Sequence, residues 1–378
     1  MNILVIPTWY PSGKDKLMGN YHKEFCEALA ENKDIHVDML FIERERLNNP
    51  IKYLFMPKED IVKEKGYKTY IKRMLNVEPI SFKWQLKRYA KTLDKAFKKY
   101  LKENPKPDVI HAMVTLPAGF AACLLGKKYK IPVVVTEHSS YFKRFFEGKN
   151  KEYGAYVLKH SKFTTVSNFM AEYIKQYTDC EVLPNVINTD LFKKERKKVD
   201  GLKLVTVSAL RQGKRIDDIF ATLKILIEKK KDWNPKLTVI GDGFLEEYYK
   251  DKCHELGMDD YVDFVGRKTK EEIAEILTKH NIFVIASEKE TFCIPGVEAL
   301  ASGMPVVSTK CLGPEEYITD KCGKLVDVGD IKGLADAIIE VYNHLEEYDI
   351  KELRKIADRY SRKNVTKIAQ KIYQKILK

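Results

Sequence analysis

Two glutamates eight positions apart, Glu290 and Glu298, mark the stretch of this 378-residue chain that is richest in chemistry, IFVIASEKETFCIPGVEALASGMPVV from Ile282 to Val307. Glu290 falls in a polar loop and Glu298 in the helix that Pro295 suits as an opener. Carboxylates accept hydroxyl protons, and backbone N–H groups at a helix N-terminus hold anions. The amides of Phe292, Cys293 and Ile294, with Thr291 beside them, therefore suit a phosphate while the two acids suit a sugar. Plainer readings stand next to this one. Ser287-x-x-Glu290 also fits a capping box, although Pro295 would then fall inside the helix so started. Glu298 alone can be a carboxylate favoured by a helix N-terminus.

Other candidates lie where a strand gives way to a helix. Lys214 and Arg211 sit in the loop after the strand Leu204–Ser208, where cations facing a pyrophosphate would stabilise it as a leaving group. Simple loop solvation is the alternative. His138 closes the strand Ile131–Thr136, and the carboxyl end of such a strand is a ligand position, though a lone histidine is more often structural. His111 also ends a strand and is read as structural. Gly19 precedes a helix expected over Tyr21–Glu31 and either admits a phosphate to its N-terminus or only turns the loop from Thr8, which also carries Gly13. Gly241 opens a Gly-Asp-Gly turn, and Arg267 follows the strand Tyr261–Gly266. No G-x-G-x-x-G follows the first strand, which counts against a dinucleotide dehydrogenase.

The spacing Glu290-x7-Glu298 followed by Ala299, Ala301, Gly303, Pro305 and Val306 resembles the signature of the retaining GT-B glycosyltransferases, the group 1 family that moves sugars from nucleotide diphosphates. The resemblance extends over nearly the whole chain, best after Leu204. Thr291 and Cys293 depart from it where glycine is frequent, and Ala209 stands where an arginine is usual, with Arg211 two residues later. It implies a GT-B fold of two Rossmann-like, doubly wound parallel-sheet domains facing a cleft. It also implies that Glu298 binds ribose hydroxyls, Lys214 and Arg211 the pyrophosphate, Glu290 and His138 the sugar, Gly19 a loop beside the donor phosphates, Gly241 the Gly-x-Gly loop of the donor site, and the backbone at Arg267 the base. The donor implied is a UDP- or GDP-sugar, with no further cofactor. A nucleotide-sugar epimerase or a phosphorylase of the same architecture remains an alternative, separated by its products.

These residues need rigid carriers, and the chain alternates apolar β-rich runs with amphipathic helical stretches in both halves, the pattern of α/β domains with parallel sheets. The expected division is a domain over 1–198 for the acceptor, closed by Val182–Phe192 and a charged linker, a donor domain over 199–358, and a helix over 359–378 crossing back. Ser167 is a candidate N-cap. From Asn48 to Val77 the pattern is irregular and lysine-rich. No apolar run approaches the roughly 20 residues of a membrane span. Seven cysteines, an odd number without a C-x-x-C pair, argue against a disulfide frame or zinc site and for a cytoplasmic protein. No Asp-x-Asp occurs, so a metal bridging donor phosphates is not indicated.

Charge is concentrated in one half. Residues 1–198 hold 37 Lys and Arg against 23 Asp and Glu, a net +14, while 199–378 carry −1. The excess points the first domain toward an anionic surface or an acidic or lipid-linked glycan acceptor. The helix expected over Phe82–Asn104 carries much of it, with an apolar stripe (Phe82, Leu86, Tyr89, Leu93, Ala96, Phe97, Tyr100, Leu101) opposite its lysines. A packed helix with a solvated face is the simpler reading; peripheral attachment to the inner face of an anionic membrane is the sharper one. A nucleic-acid partner is set aside, because no binding motif accompanies the charge.

Overall fold

A computed structural model describes residues 1–11, 18–46, 55–76 and 81–378. Gly13, and the Asn48–Leu54 and Val77 ends of the irregular segment, lie outside the described residues. The chain divides into two units, Met1–Val186 with Arg362–Lys378, and Ile187–Ser361. The division precedes Lys198 because the intervening residues bond to the second unit. The Ile187 N–H donates to Tyr360 O (2.9 Å) and the Lys197 N–H to Thr278 O (3.0 Å). The Thr189 hydroxyl donates to Asp358 (3.0 Å). Residues 359–361 stay there too, and the returning segment starts at Arg362.

The first unit is built on β1 (Asn2–Pro7), β2 (His36–Arg46), β3 (Glu59–Lys63), β4 (Lys68–Asn76), β5 (Val109–Met113), β6 (Val133–Glu137), β7 (Lys162–Thr165) and β8 (Glu181–Val182). Their order is β3-β4-β2-β1-β5-β6-β7-β8. All neighbours pair in parallel except β3, which runs antiparallel to β4. Strands covered on both faces read as unbroken apolar runs, as NILVIP does. The β3–β4 hairpin does not, because β3 is largely exposed and charged, a composition that blunts a sheet edge against further pairing.

The helix Phe82–Glu103 buries Leu86, Tyr89, Leu93, Ala96, Phe97 and Tyr100. Its first turn departs from the expected stripe: Phe82 is 40% exposed. The helix expected from Leu116 begins at Phe120, since the wide turn Thr115–Gly119 holds Leu116 extended ahead of Pro117. Ser167 occupies the N-cap of Asn168–Lys175, but its hydroxyl makes no capping bond. The final helix, Arg362–Leu377, buries Val365, Ala369, Ile372 and Tyr373 within this unit's core. Arg362 ties it to Glu27 (2.9 Å) and Glu31 (2.5 Å).

The second unit is a six-stranded parallel sheet of β9 (Lys203–Val207), β10 (Lys236–Ile240), β11 (Val262–Gly266), β12 (Ile282–Ile285), β13 (Val306–Thr309) and β14 (Gly323–Val326), ordered β11-β10-β9-β12-β13-β14. The order reverses between β9 and β12, which pair directly. At such a switch point the helices leave on opposite faces and open a crevice at the strands' carboxyl ends. The helices Glu246–Glu255 and Ile350–Asp358, with β14, complete this unit and were not apparent in the sequence pattern.

Candidate active site

The loops leaving β9 and β12, the two strands at the switch point, are joined to each other. The Glu288 N–H donates to Gly213 O (2.8 Å). Beside that bond the Lys214 ammonium pairs with the Glu290 carboxylate, with side chains 15% and 14% exposed. Ser287 is the other partner, its hydroxyl donating to Glu290 Oε1 (2.7 Å). The capping-box reading of Ser287 thus gives way to a side-chain bond, because the helix starts only at Ile294. From the far side the Glu290 N–H donates to Cys311 O (2.8 Å), and its carbonyl accepts from the Gly313 N–H (3.0 Å). A Cβ on Gly313 would lie 2.5 Å from the Phe292 nitrogen, so the two segments meet main chain to main chain.

Cys293 turns the chain into the helix Ile294–Ala301 in the left-handed region, φ 65°. Its carbonyl accepts the Tyr317 hydroxyl (3.0 Å). That conformation aims successive amides past the end of the helix; among the described residues the N–H groups of Phe292, Cys293 and Ile294 have no acceptor. Glu298 is the fifth residue of the helix, just past its first turn, and is 1% exposed. Its Oε1 is paired with the Lys270 ammonium. Its Oε2 is buried without a hydrogen-bond partner. Lys270 was missed in the sequence, where nothing in its spacing from Glu298 marks it. It opens the helix Lys270–Leu277, which Thr269 and Glu272 cap reciprocally.

The remaining candidates of this unit take different places. Gly241, at φ 138°, is required by packing: a Cβ there would fall 1.9 Å from Ser208 O. The turn it opens also receives the Leu210 N–H on Asp242 O (2.8 Å), so it braces the β9 loop. Arg267 Nε donates to Asp242 Oδ1 (2.9 Å), and both side chains are exposed. Arg211 is exposed on the β9 loop. Arg215 is committed instead to Asp218 (2.6 Å).

In the first unit, Gly19 adopts φ 77° directly before the helix Asn20–Ala30, where a Cβ would lie 2.7 Å from the Trp9 carbonyl carbon. His138 follows β6, whose last residue Glu137 anchors the loop by accepting from the N–H groups of Thr115 (2.9 Å), His138 (2.9 Å) and Ser139 (2.6 Å). Burial raises the Glu137 pKa. His138 Nδ1 lies 3.1 Å from Asn185 Oδ1, an acceptor, so Nδ1 carries the proton and Nε2 keeps a lone pair. Nε2 is buried without a partner. Burial pushes the His138 pKa down to about 3. The His22 ring stands edge-on 4.9 Å from it. His22 escaped the sequence reading, although it shares the buried face of its helix with Phe25, Cys26 and Leu29. His111 is structural, with Nδ1 2.6 Å from the Tyr373 hydroxyl and Nε2 2.7 Å from that of Thr136.

Among the described residues no group of three or more His, Cys, Asp or Glu is arranged to hold a metal, and no helix is long and apolar enough to cross a membrane.

Comparison with known proteins agrees with this architecture. The model of the family "Glycosyl transferases group 1" matches residues 188–364, and that of "Glycosyltransferase Family 4" matches 18–191. The putative teichuronic acid biosynthesis glycosyltransferase TuaC of Bacillus subtilis is 27% identical over 366 residues, covering 91% of this chain and 90% of that protein. Among solved structures, sucrose-phosphate synthase of Thermosynechococcus elongatus superposes with a TM-score of 0.76 at 18% identity, over 99% of both chains. HepE of Anabaena, solved in complex with UDP, gives 0.74 at 17% identity, over 99% of this chain and 100% of that one. Two parallel-sheet Rossmann-like units, their neighbours in fold and two family models meeting near residue 190 lead to one conclusion: the chain is a glycosyltransferase of GT-B fold, with the group 1 model on its second unit and the family 4 model on its first.

Proposed function

We propose that the protein transfers a sugar from a UDP- or GDP-sugar to an acceptor hydroxyl with retention of the anomeric configuration, and without a divalent metal. The observation carrying this reading is the switch-point arrangement, where Lys214, Glu290, unpaired main-chain amides and the buried Oε2 of Glu298 line two loops joined by a hydrogen bond. The amides of Phe292–Ile294, beside Thr291, and the side chains of Lys214 and Arg211 hold the pyrophosphate. Glu298 accepts the ribose hydroxyls, Glu290 meets the sugar, and the backbone near Arg267 and Gly241 frames the nucleoside.

As the glycosidic C–O bond breaks, negative charge grows on the leaving phosphate, and fixed N–H donors with an ammonium stabilise that charge without reorganising. The acceptor hydroxyl attacks on the face the leaving group departs from, and its proton passes to a phosphate oxygen. The protein contributes position and charge rather than a nucleophile. His138 offers the Nε2 lone pair to a hydroxyl of the transferred sugar, and Gly19 lets phosphate near the helix Asn20–Ala30. Metal independence is supported by the missing Asp-x-Asp. The second unit takes the donor and the basic first unit takes a glycan or lipid-linked acceptor of surface polysaccharide or glycolipid synthesis. The net +14 of residues 1–198 and the exposed Phe82 and Trp84 favour an anionic membrane surface.

Thermal-shift titration against UDP, GDP and a panel of their sugars tests the reading, since a ligand bound only by the folded state raises stability by RT ln(1 + [L]/Kd). A shift with at least one nucleotide, reduced in Glu298→Ala, is expected. No shift with any of them refutes the proposal.

A further inference from the structure

Glu298 cannot hold a charge in its position unaided. It is 1% exposed, and Val297, Ala299, Leu300 and Ala301 around it in sequence are all buried and apolar. Removing an ionised carboxylate from water costs several kcal/mol unless a counter-charge and hydrogen bonds replace the solvent. The counter-charge comes from Lys270, whose ammonium sits on Oε1. Nothing in the signature around Glu298 contains this lysine; it belongs to the helix after β11, on the other side of β10 and β9 in the sheet. Its place is set by that helix's start, where the Thr269 hydroxyl accepts from the Glu272 N–H (3.3 Å) and the Glu272 carboxylate accepts from the Thr269 N–H (2.8 Å).

With Oε1 taken, Oε2 is the acceptor left for anything that enters, and it is buried without a partner. We propose that Lys270 is a positioning residue for nucleotide recognition: it pins one oxygen of Glu298 and so presents the other, pre-oriented, to a vicinal diol. The inference rests on the reading of Glu298 as the acceptor for ribose hydroxyls and adds how that acceptor is set. A carboxylate held in one rotamer by a charge-assisted bond loses no further freedom when the diol arrives, which favours the ribose over a sugar offering one hydroxyl fewer. A site built to bond a hydroxyl penalises the analogue that lacks it, because the buried acceptor is then left unpaired.

The test is calorimetric titration of the full chain with UDP, 2′-deoxy-UDP, GDP and 2′-deoxy-GDP. It compares wild type with Lys270→Met, Lys270→Arg, Glu298→Gln and the double variant Lys270→Met/Glu298→Gln. Wild type is expected to prefer one ribonucleotide over its deoxy form by about tenfold or more. Lys270→Met should weaken the ribonucleotide by about tenfold and bring the ratio toward one, while Lys270→Arg keeps the preference. The double variant should bind no more weakly than Glu298→Gln alone. Lys270→Met with the wild-type preference, while Glu298→Gln loses it, overturns the role of Lys270 and leaves that of Glu298 standing. Wild type without any preference, or without binding, refutes the Glu298 reading itself. Should Lys270→Met fail to fold, the double variant leaves no lone buried charge and decides the matter. Affinity equal to that of Glu298→Gln supports the proposal, and a further tenfold loss overturns it.

Discussion

Lys214 and Glu290 are expected to respond to mutation in opposite senses, although they form one ion pair. Without ligand the ammonium is held by the Glu290 carboxylate, with both side chains mostly buried at 15% and 14% exposure. A diphosphate entering this loop competes with Glu290 for the same cation. Lys214→Met removes a charge-assisted bond worth about 1.5–3 kcal/mol, so nucleoside diphosphate affinity should fall roughly 10- to 150-fold. Glu290→Gln removes only the competing charge, and the amide oxygen can still accept from Ser287, which donates to Oε1 at 2.7 Å. Diphosphate affinity should then stay within about threefold of wild type or tighten, whereas turnover falls by about 10²–10³ as a group meeting the transition state is lost. Because the pair is not sealed from water, the folding penalty of Glu290→Gln should remain below the roughly 3–5 kcal/mol of a fully buried broken pair. Titration calorimetry with UDP and GDP gives the affinities, release of nucleoside diphosphate from the matched donor gives turnover, and circular-dichroism melts give stability. Equal affinity losses in both variants, with no additional loss of turnover in Glu290→Gln, would show that the pair only shapes the loop and refute the reasoning.

Gly241→Ala should destabilise the second unit by about 3 kcal/mol or more, since its Cβ would meet Ser208 O at 1.9 Å, and should also weaken nucleotide binding through the β9 loop; denaturant melts alongside titrations check both. Burial holds His111 and His138 at about 3, against about 6.5 in an unfolded chain. The unfolded state therefore takes up protons that the folded state refuses as pH falls from about 6.5 toward 3, and stability should drop by about 1.4 kcal/mol per pH unit for each histidine, measurable by urea melts at successive pH values. Transfer activity should persist in EDTA, and a strict requirement for added Mg²⁺ or Mn²⁺ would contradict the metal-free reading. The chain should co-sediment with anionic vesicles at low salt and less so at high salt, each lysine near the surface adding about 1 kcal/mol. Equal binding to neutral vesicles would remove the membrane from the proposal.

The sequence alone determined the elements whose signal is local. Buried parallel strands such as Asn2–Pro7 and Ile282–Ile285 read as apolar runs because both of their faces are covered. The loop-to-helix passage at Ile294 read clearly because Pro295 can open a helix and not continue one. Glu290 and Glu298 stood out through a spacing that resembles a family signature, and Lys214 through its place in the loop after a strand. What the sequence could not carry depends on which segments become neighbours. The hairpin of β3 and β4 escaped notice because its charged edge strand has no buried face to impose a period. The boundary before Ile187 is decided by bonds to residues such as Tyr360, far along the chain. Lys270 reaches Glu298 across 28 positions, and His22 meets His138 across a much longer interval, contacts that only the folded sheets create. Spacing along a chain marks residues that share one strand, loop or helix; a counter-charge or a packed ring partner from another element is set by topology, and the tertiary structure alone decides it.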